Sequence, residues 1–179
     1  MIIAFSGKKG SGKDTAAAIL ETQLKESGFL IRRDQFAARL KKACSIIFNT
    51  PIEYFEDENL KKQIHSETGL TYRQILQRVG TDLFRKQIDS EIWVRAPFTN
   101  LVLKEKEILI LTDLRFRNEA EQVKRHNGKI IRINRPGLIS DSHISETEMD
   151  DYGSFDYVIH NDGTLDQLKE AIQNAKLFA

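Results

Sequence analysis

Short, continuous apolar runs alternate along the chain with longer stretches in which apolar residues recur at helical spacing. Ile2 to Phe5 is a short apolar run that ends in Gly7 and reads as the first strand. Asp14 to Ser27 then places Ala17, Leu20 and Leu24 on one helical face before Gly28 ends it. Phe29 to Ile31 reads as a second strand, and Phe36 to Phe48 as a second helix closed ahead of Pro51. Thr71 and Gln74 have capping-box spacing and open a helix carrying Ile75, Leu76, Val79 and Leu83, with Gly80 interrupting its apolar face. A further helix is expected from near Ser90 past Trp93, with Pro97 either kinking it or marking its first turn. Ile108 to Leu111 is the most apolar run and reads as a central strand. Glu119 to Arg125 reads as helix, Lys129 to Ile133 and Tyr157 to Ile159 as strands, and Thr164 with Gln167 as a capping box opening a C-terminal helix. Arg135 to Ser154 has no period and holds Pro136, two glycines and many charged and hydroxyl groups, which predicts a loop or lid. Five strands alternating with helices predict an α/β fold of three layers with a mainly parallel sheet, a single domain over 1–179.

Composition narrows the function classes. Twenty-seven Lys+Arg against 26 Asp+Glu leave a formal charge of +1, so no global basic field favours nucleic acid or an anionic membrane, and an anion must be caught locally. The single cysteine excludes an internal disulfide and a multi-cysteine zinc site. No apolar run approaches the roughly 20 residues of a membrane span. The N-terminal apolar stretch meets glycine and lysine short of the ~7–15 residues of a secretory signal, so a cytoplasmic location is expected.

Gly7, Gly10, Ser11, Gly12 and Lys13, in the stretch GKKGSGK, match the phosphate-loop pattern GxxxxGK between a predicted strand and a predicted helix. Glycines there let successive backbone N–H groups point inward, and the helix N-terminus adds its positive end, so the loop cradles an anion. Lys13 would reach the β- and γ-phosphates of a nucleoside triphosphate. The next residue is Asp14, where the usual pattern has Ser or Thr, and Thr15 follows. A carboxylate is a competent hard ligand for magnesium, so Asp14 is expected to face metal; the alternative makes Asp14 a helix cap and gives Thr15 the metal role.

Asp113 ends the most apolar strand, at the sheet edge where ligands of α/β folds bind, and is a second candidate metal or substrate carboxylate. Arg115 and Arg117 follow it and either hold phosphate bidentately or form a solvated face. Asp34 ends the second strand and either contacts an acceptor or caps the next helix. Arg135, at the start of the lid, is a candidate to close on the phosphates and exclude water. His143, beside Glu146 in the same segment, lacks a third ligand for a metal and is expected to make substrate-site or lid contacts.

Taken together, GKKGSGKDT, FAARLK at 36–41, TYRQILQRVGTDLFR ahead of Trp93, TDLRFRNE at 112–119 and VIHNDGTLDQL resemble the bacteriophage-type deoxynucleoside monophosphate kinases over most of the chain. The resemblance implies a P-loop NTPase fold with a helical acceptor-binding region at about 36–105 and a lid at about 135–154. It also implies ATP and Mg2+ as cofactors, a small-molecule nucleotide as partner, and the host cytoplasm as location for a phage- or virus-encoded enzyme. A homodimer stays compatible with it. By the same resemblance Phe36 and Lys41 lie at the monophosphate side, and Arg73, Gln77, Arg85 and Trp93 line the acceptor pocket. Read alone, Arg73 and Arg85 are surface charges, Gln77 a solvent contact and Trp93 a core aromatic. Related nucleotide kinases place an asparagine turn beside adenine, which implies that role for Asn161. The competing readings are a P-loop kinase of a phosphorylated metabolite, of the phosphomevalonate or dephospho-coenzyme A type, and a nucleotide-binding switch.

Overall fold

The computed structural model describes residues 1–138 and 142–175. In chain order its elements are β1 (Ile2–Ser6), α1 (Lys13–Glu26), β2 (Leu30–Asp34), α2 (Ala38–Ile47), α3 (Glu53–Glu56), α4 (Tyr72–Gln77), β3 (Glu107–Leu114), α5 (Arg117–Arg125), β4 (Lys129–Asn134), α6 (Ile144–Thr147), β5 (Tyr157–His160) and α7 (Leu165–Asn174). They form two compact units, residues 1–35 with 100–179, and residues 36–99.

The first unit holds five strands in the order β2-β3-β1-β4-β5, every pair parallel. Parallel strands require crossovers, so both faces of the sheet are covered and its central strands are apolar on both sides. Alternation along β1 and β3 divides the core accordingly: Ile3, Phe5, Ile108 and Ile110 pack with Ala16, Leu20 and Leu24 of α1 and Leu168 and Ile172 of α7. The intervening Ile2, Ala4, Leu109 and Leu111 are equally buried on the opposite face, where α5 packs against β1 and β4. Beside β1, β3 takes three steps from Leu111 to Leu114 while β1 takes two from Ala4 to Ser6. That extra residue is a bulge at the carboxyl end of the sheet, and it re-aims the side chains that follow Leu111.

The second unit is helical. Leu40, Cys44, Phe55, Tyr72, Ile75 and Trp93 form its core. Thr71 and Gln74 make the expected capping box, and the helix does continue through Gly80, as a π-helical stretch over Arg78–Ile88. Its continuity has a packing reason: a Cβ on Gly80 would lie 2.4 Å from Leu40 Cδ2, and the Gly80 carbonyl accepts the Trp93 indole N–H at 3.0 Å. The helix expected from Ser90 past Trp93 is absent; turns lead into a 3-10 helix at Ala96–Phe98 with Pro97 in its first turn. Proline has no N–H to donate and a preset φ, so it suits a helix start rather than an interior.

Candidate active site

Because all five strands are parallel, the segments that follow them lie along one edge of the sheet, and that edge collects the chemistry. The loop after β1 turns through Gly10 at φ 77° and Gly12 at φ 88°, both left-handed, and Gly12 is the N-cap of α1. Asn161, just beyond β5, donates from Nδ2 to the Ser11 carbonyl at 2.8 Å, so it braces the loop. Lys13 opens α1 in a buried position, 3.9 Å from the Asp14 carboxylate, which is exposed in the first turn. With Gly12 as the cap, Asp14 is not the capping residue; its charge complements the positive helix end instead. Thr15 is exposed one place further on.

Asp34 closes β2 and accepts the Gln35 N–H at 2.7 Å, while α2 is capped at Ala37 without any side-chain bond, so Asp34 does not cap it. Asp113 lies in the bulged end of β3. Past it, the Glu119 carboxylate accepts the N–H groups of Arg115 at 2.8 Å and Phe116 at 3.1 Å, which fixes the turn into α5. The Arg115 guanidinium then meets Glu146 at 2.5 Å and the Ser145 carbonyl at 3.1 Å. The second Glu146 oxygen accepts the Lys9 N–H of the phosphate loop at 3.1 Å. Burial pushes the Glu146 carboxyl upward, but Arg115, the Lys9 N–H and the charge of Lys13 outweigh it and hold the pKa below the ordinary carboxylate value.

His143 supplies the geometry under that carboxylate. Its Nδ1 accepts the Ser145 N–H at 3.2 Å as the cap of α6, which is a contact within the lid segment. Arg117 is exposed; its guanidinium pairs with Asp151 and its N–H donates to Glu148 at 3.0 Å. Residues 139–141 of the expected lid lie outside the described residues.

Arg132 carries no signal in the sequence beyond being a charge inside an apolar strand, yet it is 7% exposed. It donates to Ser6 Oγ at 3.1 Å, Asn134 Oδ1 at 3.2 Å and Asp150 Oδ1 at 2.9 Å, and Asp150 also pairs with Lys8 at 2.8 Å. A cleft of about 440 Å3 opens here, lined by Lys8, Ser11, Arg132, Arg135, His160 and Asp162 among others, with Arg135 exposed at its rim.

The remaining candidates belong to the helical unit. Phe36 is buried with its ring 6.1 Å from Phe98, and Lys41 is buried in α2. Arg73 pairs with Glu58 at 2.5 Å, and Glu58 pairs with Lys61 at 2.7 Å. Desolvation raises the Glu58 pKa, but the two cations reverse this and bring it to about 2. Gln77 ends α4 half-buried, and Arg85 donates to the Ser90 carbonyl at 3.1 Å. Trp93 is a core aromatic, edge-on to Phe84 at 5.3 Å.

The profile of the deoxynucleotide monophosphate kinase family matches residues 35–172. A protein of Acanthamoeba polyphaga mimivirus assigned as a deoxynucleotide monophosphate kinase is 34% identical over 190 residues, covering 96% of this chain and 94% of its own length. The deoxynucleotide monophosphate kinase of Enterobacteria phage T4 is 31% identical over 112 residues, 60% of this chain and 46% of that enzyme. Among solved structures, shikimate kinase from Aquifex aeolicus superposes with a TM-score of 0.55 at 16% identity, over 98% of this chain and 95% of its own, which shows a shared α/β fold. Phosphate loop, parallel sheet and family match agree: the chain belongs to the deoxynucleotide monophosphate kinase family.

Proposed function

We propose that the protein transfers the γ-phosphoryl group of ATP to a deoxynucleoside monophosphate, giving the diphosphate. The observation that carries this reading is the phosphate loop itself. Two left-handed glycines lead the loop into the start of α1, where Lys13 is the first residue, and a glycine loop running into a helix N-terminus is an arrangement that can offer backbone N–H groups to an anion. Phosphoryl transfer requires alignment and neutralisation of charge rather than covalent help, and preorganised cations supply both. In this reading Lys13 binds the β- and γ-phosphates, Arg115 holds phosphate at the transfer point, and the cleft beside Ser11 takes the donor nucleoside. Its roughly 440 Å3 is within the size range of small-molecule sites. Arg135 closes over the donor. Phe36, Lys41, Arg73, Gln77, Arg85 and Trp93 serve the acceptor side, with Asp34, Asp113, Arg117 and His143 as further substrate contacts. Asn161 acts through the loop it braces.

The donor set fits magnesium. Asp14 and Asp113 offer hard carboxylate oxygen at the carboxyl edge of the sheet, and among the described residues no cluster of three metal-binding side chains occurs. Such a set suits an ion that takes most of its ligands from phosphate and water. Asp14 and Asp113 would hold the ion, which supplies charge neutralisation at the phosphates when bound with the nucleotide. In this reading the enzyme works in the cytoplasm, where ATP, magnesium and free deoxynucleotides are found together.

The test is ADP production from ATP and magnesium against a panel of deoxy- and ribonucleoside monophosphates. At least one deoxynucleotide should raise ADP release well above the rate with ATP alone. Equal rates with and without every deoxynucleotide would overturn the reading.

A further inference from the structure

One buried carboxylate joins the two phosphate-handling parts of the site. Glu146 is 8% exposed, and each of its oxygens has a different partner: Oε1 meets Arg115 at 2.5 Å, and Oε2 accepts the Lys9 N–H at 3.1 Å. Arg115 comes from the end of β3, and Lys9 from the loop that receives the donor phosphates. The Ser145 carbonyl, one residue earlier, takes the same Arg115 Nη1 at 3.1 Å, and the His143 ring caps the turn that presents both groups. From the other side Glu119 fixes the Arg115 backbone N–H at 2.8 Å. Arg115 is thus held at its root by Glu119 and at its tip by Glu146. An arginine otherwise carries large rotamer freedom, which must be lost whenever it grips a phosphate.

We propose that Glu146 is a positioning residue for phosphoryl transfer, a single carboxylate that sets the Arg115 guanidinium at a fixed distance from the phosphate loop. The proposal rests on the kinase reading above, in which Arg115 touches the transferred or accepted phosphate. A guanidinium has five donors, so a pair with Glu146 and a bond to Ser145 leave others for a phosphate. The segment does not depend on Glu146 for its docking. Asp150 pairs with Lys8 at 2.8 Å and Arg132 at 2.9 Å, and Arg117 donates its N–H to Glu148 at 3.0 Å. Removing one charge at Glu146 therefore loosens Arg115 without releasing the chain around it.

The experiment is a cycle of Glu146→Gln and Arg115→Ala in the full-length protein, reading kcat and the KM of each substrate, with thermal midpoints alongside. Glu146→Gln keeps shape and an acceptor for Lys9 but loses the charge that holds Arg115. It should lower kcat at least tenfold and leave the KM for ATP within twofold. In the Arg115→Ala background the same substitution should change kcat less than twofold, because its target is gone. Glu146→Asp keeps the charge and should recover part of the loss; it replaces the Gln variant in the cycle if that protein melts at the assay temperature. Equal losses in both backgrounds would overturn the proposal, since Glu146 would then act independently of Arg115. So would a lower KM for ATP with kcat intact, which would make the carboxylate a competitor of phosphate. A wild-type protein that turns over no deoxynucleotide refutes the kinase reading, and the proposal with it; an active wild type with an unaffected Glu146→Gln refutes the proposal alone.

Discussion

Gly12→Ala is the substitution whose consequence can be worked most directly from the geometry. Gly12 has φ 88°, and a Cβ there would lie 2.3 Å from Asn161 Nδ2, the atom that donates to the Ser11 carbonyl at 2.8 Å. Two costs add. Holding alanine in the left-handed region costs about 1–2 kcal/mol. Displacing the Asn161 amide loses a hydrogen bond worth about 0.5–1.5 kcal/mol. The total, about 1.5–3.5 kcal/mol, corresponds for a chain of this size to a fall in thermal midpoint of about 3–14 °C. Asn161→Ala alone loses only the hydrogen bond. In the double variant the clash has gone, so Gly12→Ala should cost only the backbone strain, and the two effects should fall short of additivity by about 0.5–1.5 kcal/mol. Thermal melts of the four proteins test this. Strictly additive costs, or a Gly12→Ala midpoint equal to wild type, would refute the role of Asn161 as the brace of the loop.

Lys13→Ala should leave less than about a tenth of the turnover, more than 1.4 kcal/mol of lost barrier stabilisation, with a cooperative melt retained; a higher residual rate removes Lys13 from the transfer step. Asp14→Ser should keep much of the activity and Asp14→Ala should shift the magnesium titration to higher concentration, whereas an unchanged magnesium curve for both would pass the metal-side role to Thr15. For Glu58, the folded pKa of about 2 lies below the ordinary 4.5, so its ion pairs stabilise the helical unit above pH 4.5 and are lost as pH falls toward 2. Glu58→Gln should lower the thermal midpoint near neutrality, by a small amount given its exposure, and the two melting curves should converge toward pH 2; parallel curves across that window would show the pairs contribute nothing.

Local rules accounted for much of this molecule. The capping boxes at Thr71 and Thr164, the strand–loop–helix around GKKGSGK and the apolar run at Ile108 to Leu111 each depend on neighbours within a few residues, and all are present. The helix expected past Ser90 failed because its apolar residues, Ile92 and Trp93, are drawn into the helical core from turns, and Pro97 starts a helix where it cannot sit inside one. Gly80 looked like an interruption because a sequence does not show Leu40 pressed against it.

The same division runs through the site. Spacing alone put forward Lys13, Gly12 and the carboxylates at strand ends as candidates, and the structure places them at the start of α1 and at the ends of β2 and β3, because a glycine loop is a local device and strand ends can be read from hydrophobic runs. Glu146 and Arg132 were not legible, although each is buried and multiply bonded. Their meaning comes from partners 31 and 137 residues away for Glu146, Arg115 and Lys9, and 126 residues away for Arg132, Ser6. A buried charge is tolerable only when partners offset its desolvation, and those partners meet only when the parallel sheet brings its strand ends to one edge. The sequence by itself determined the five strands, the helices packed on their sheet and the glycine turn after β1, since those follow from period and from glycine's backbone freedom. The tertiary structure decided which carboxylate holds which arginine, since that pairing depends on distances no local pattern encodes.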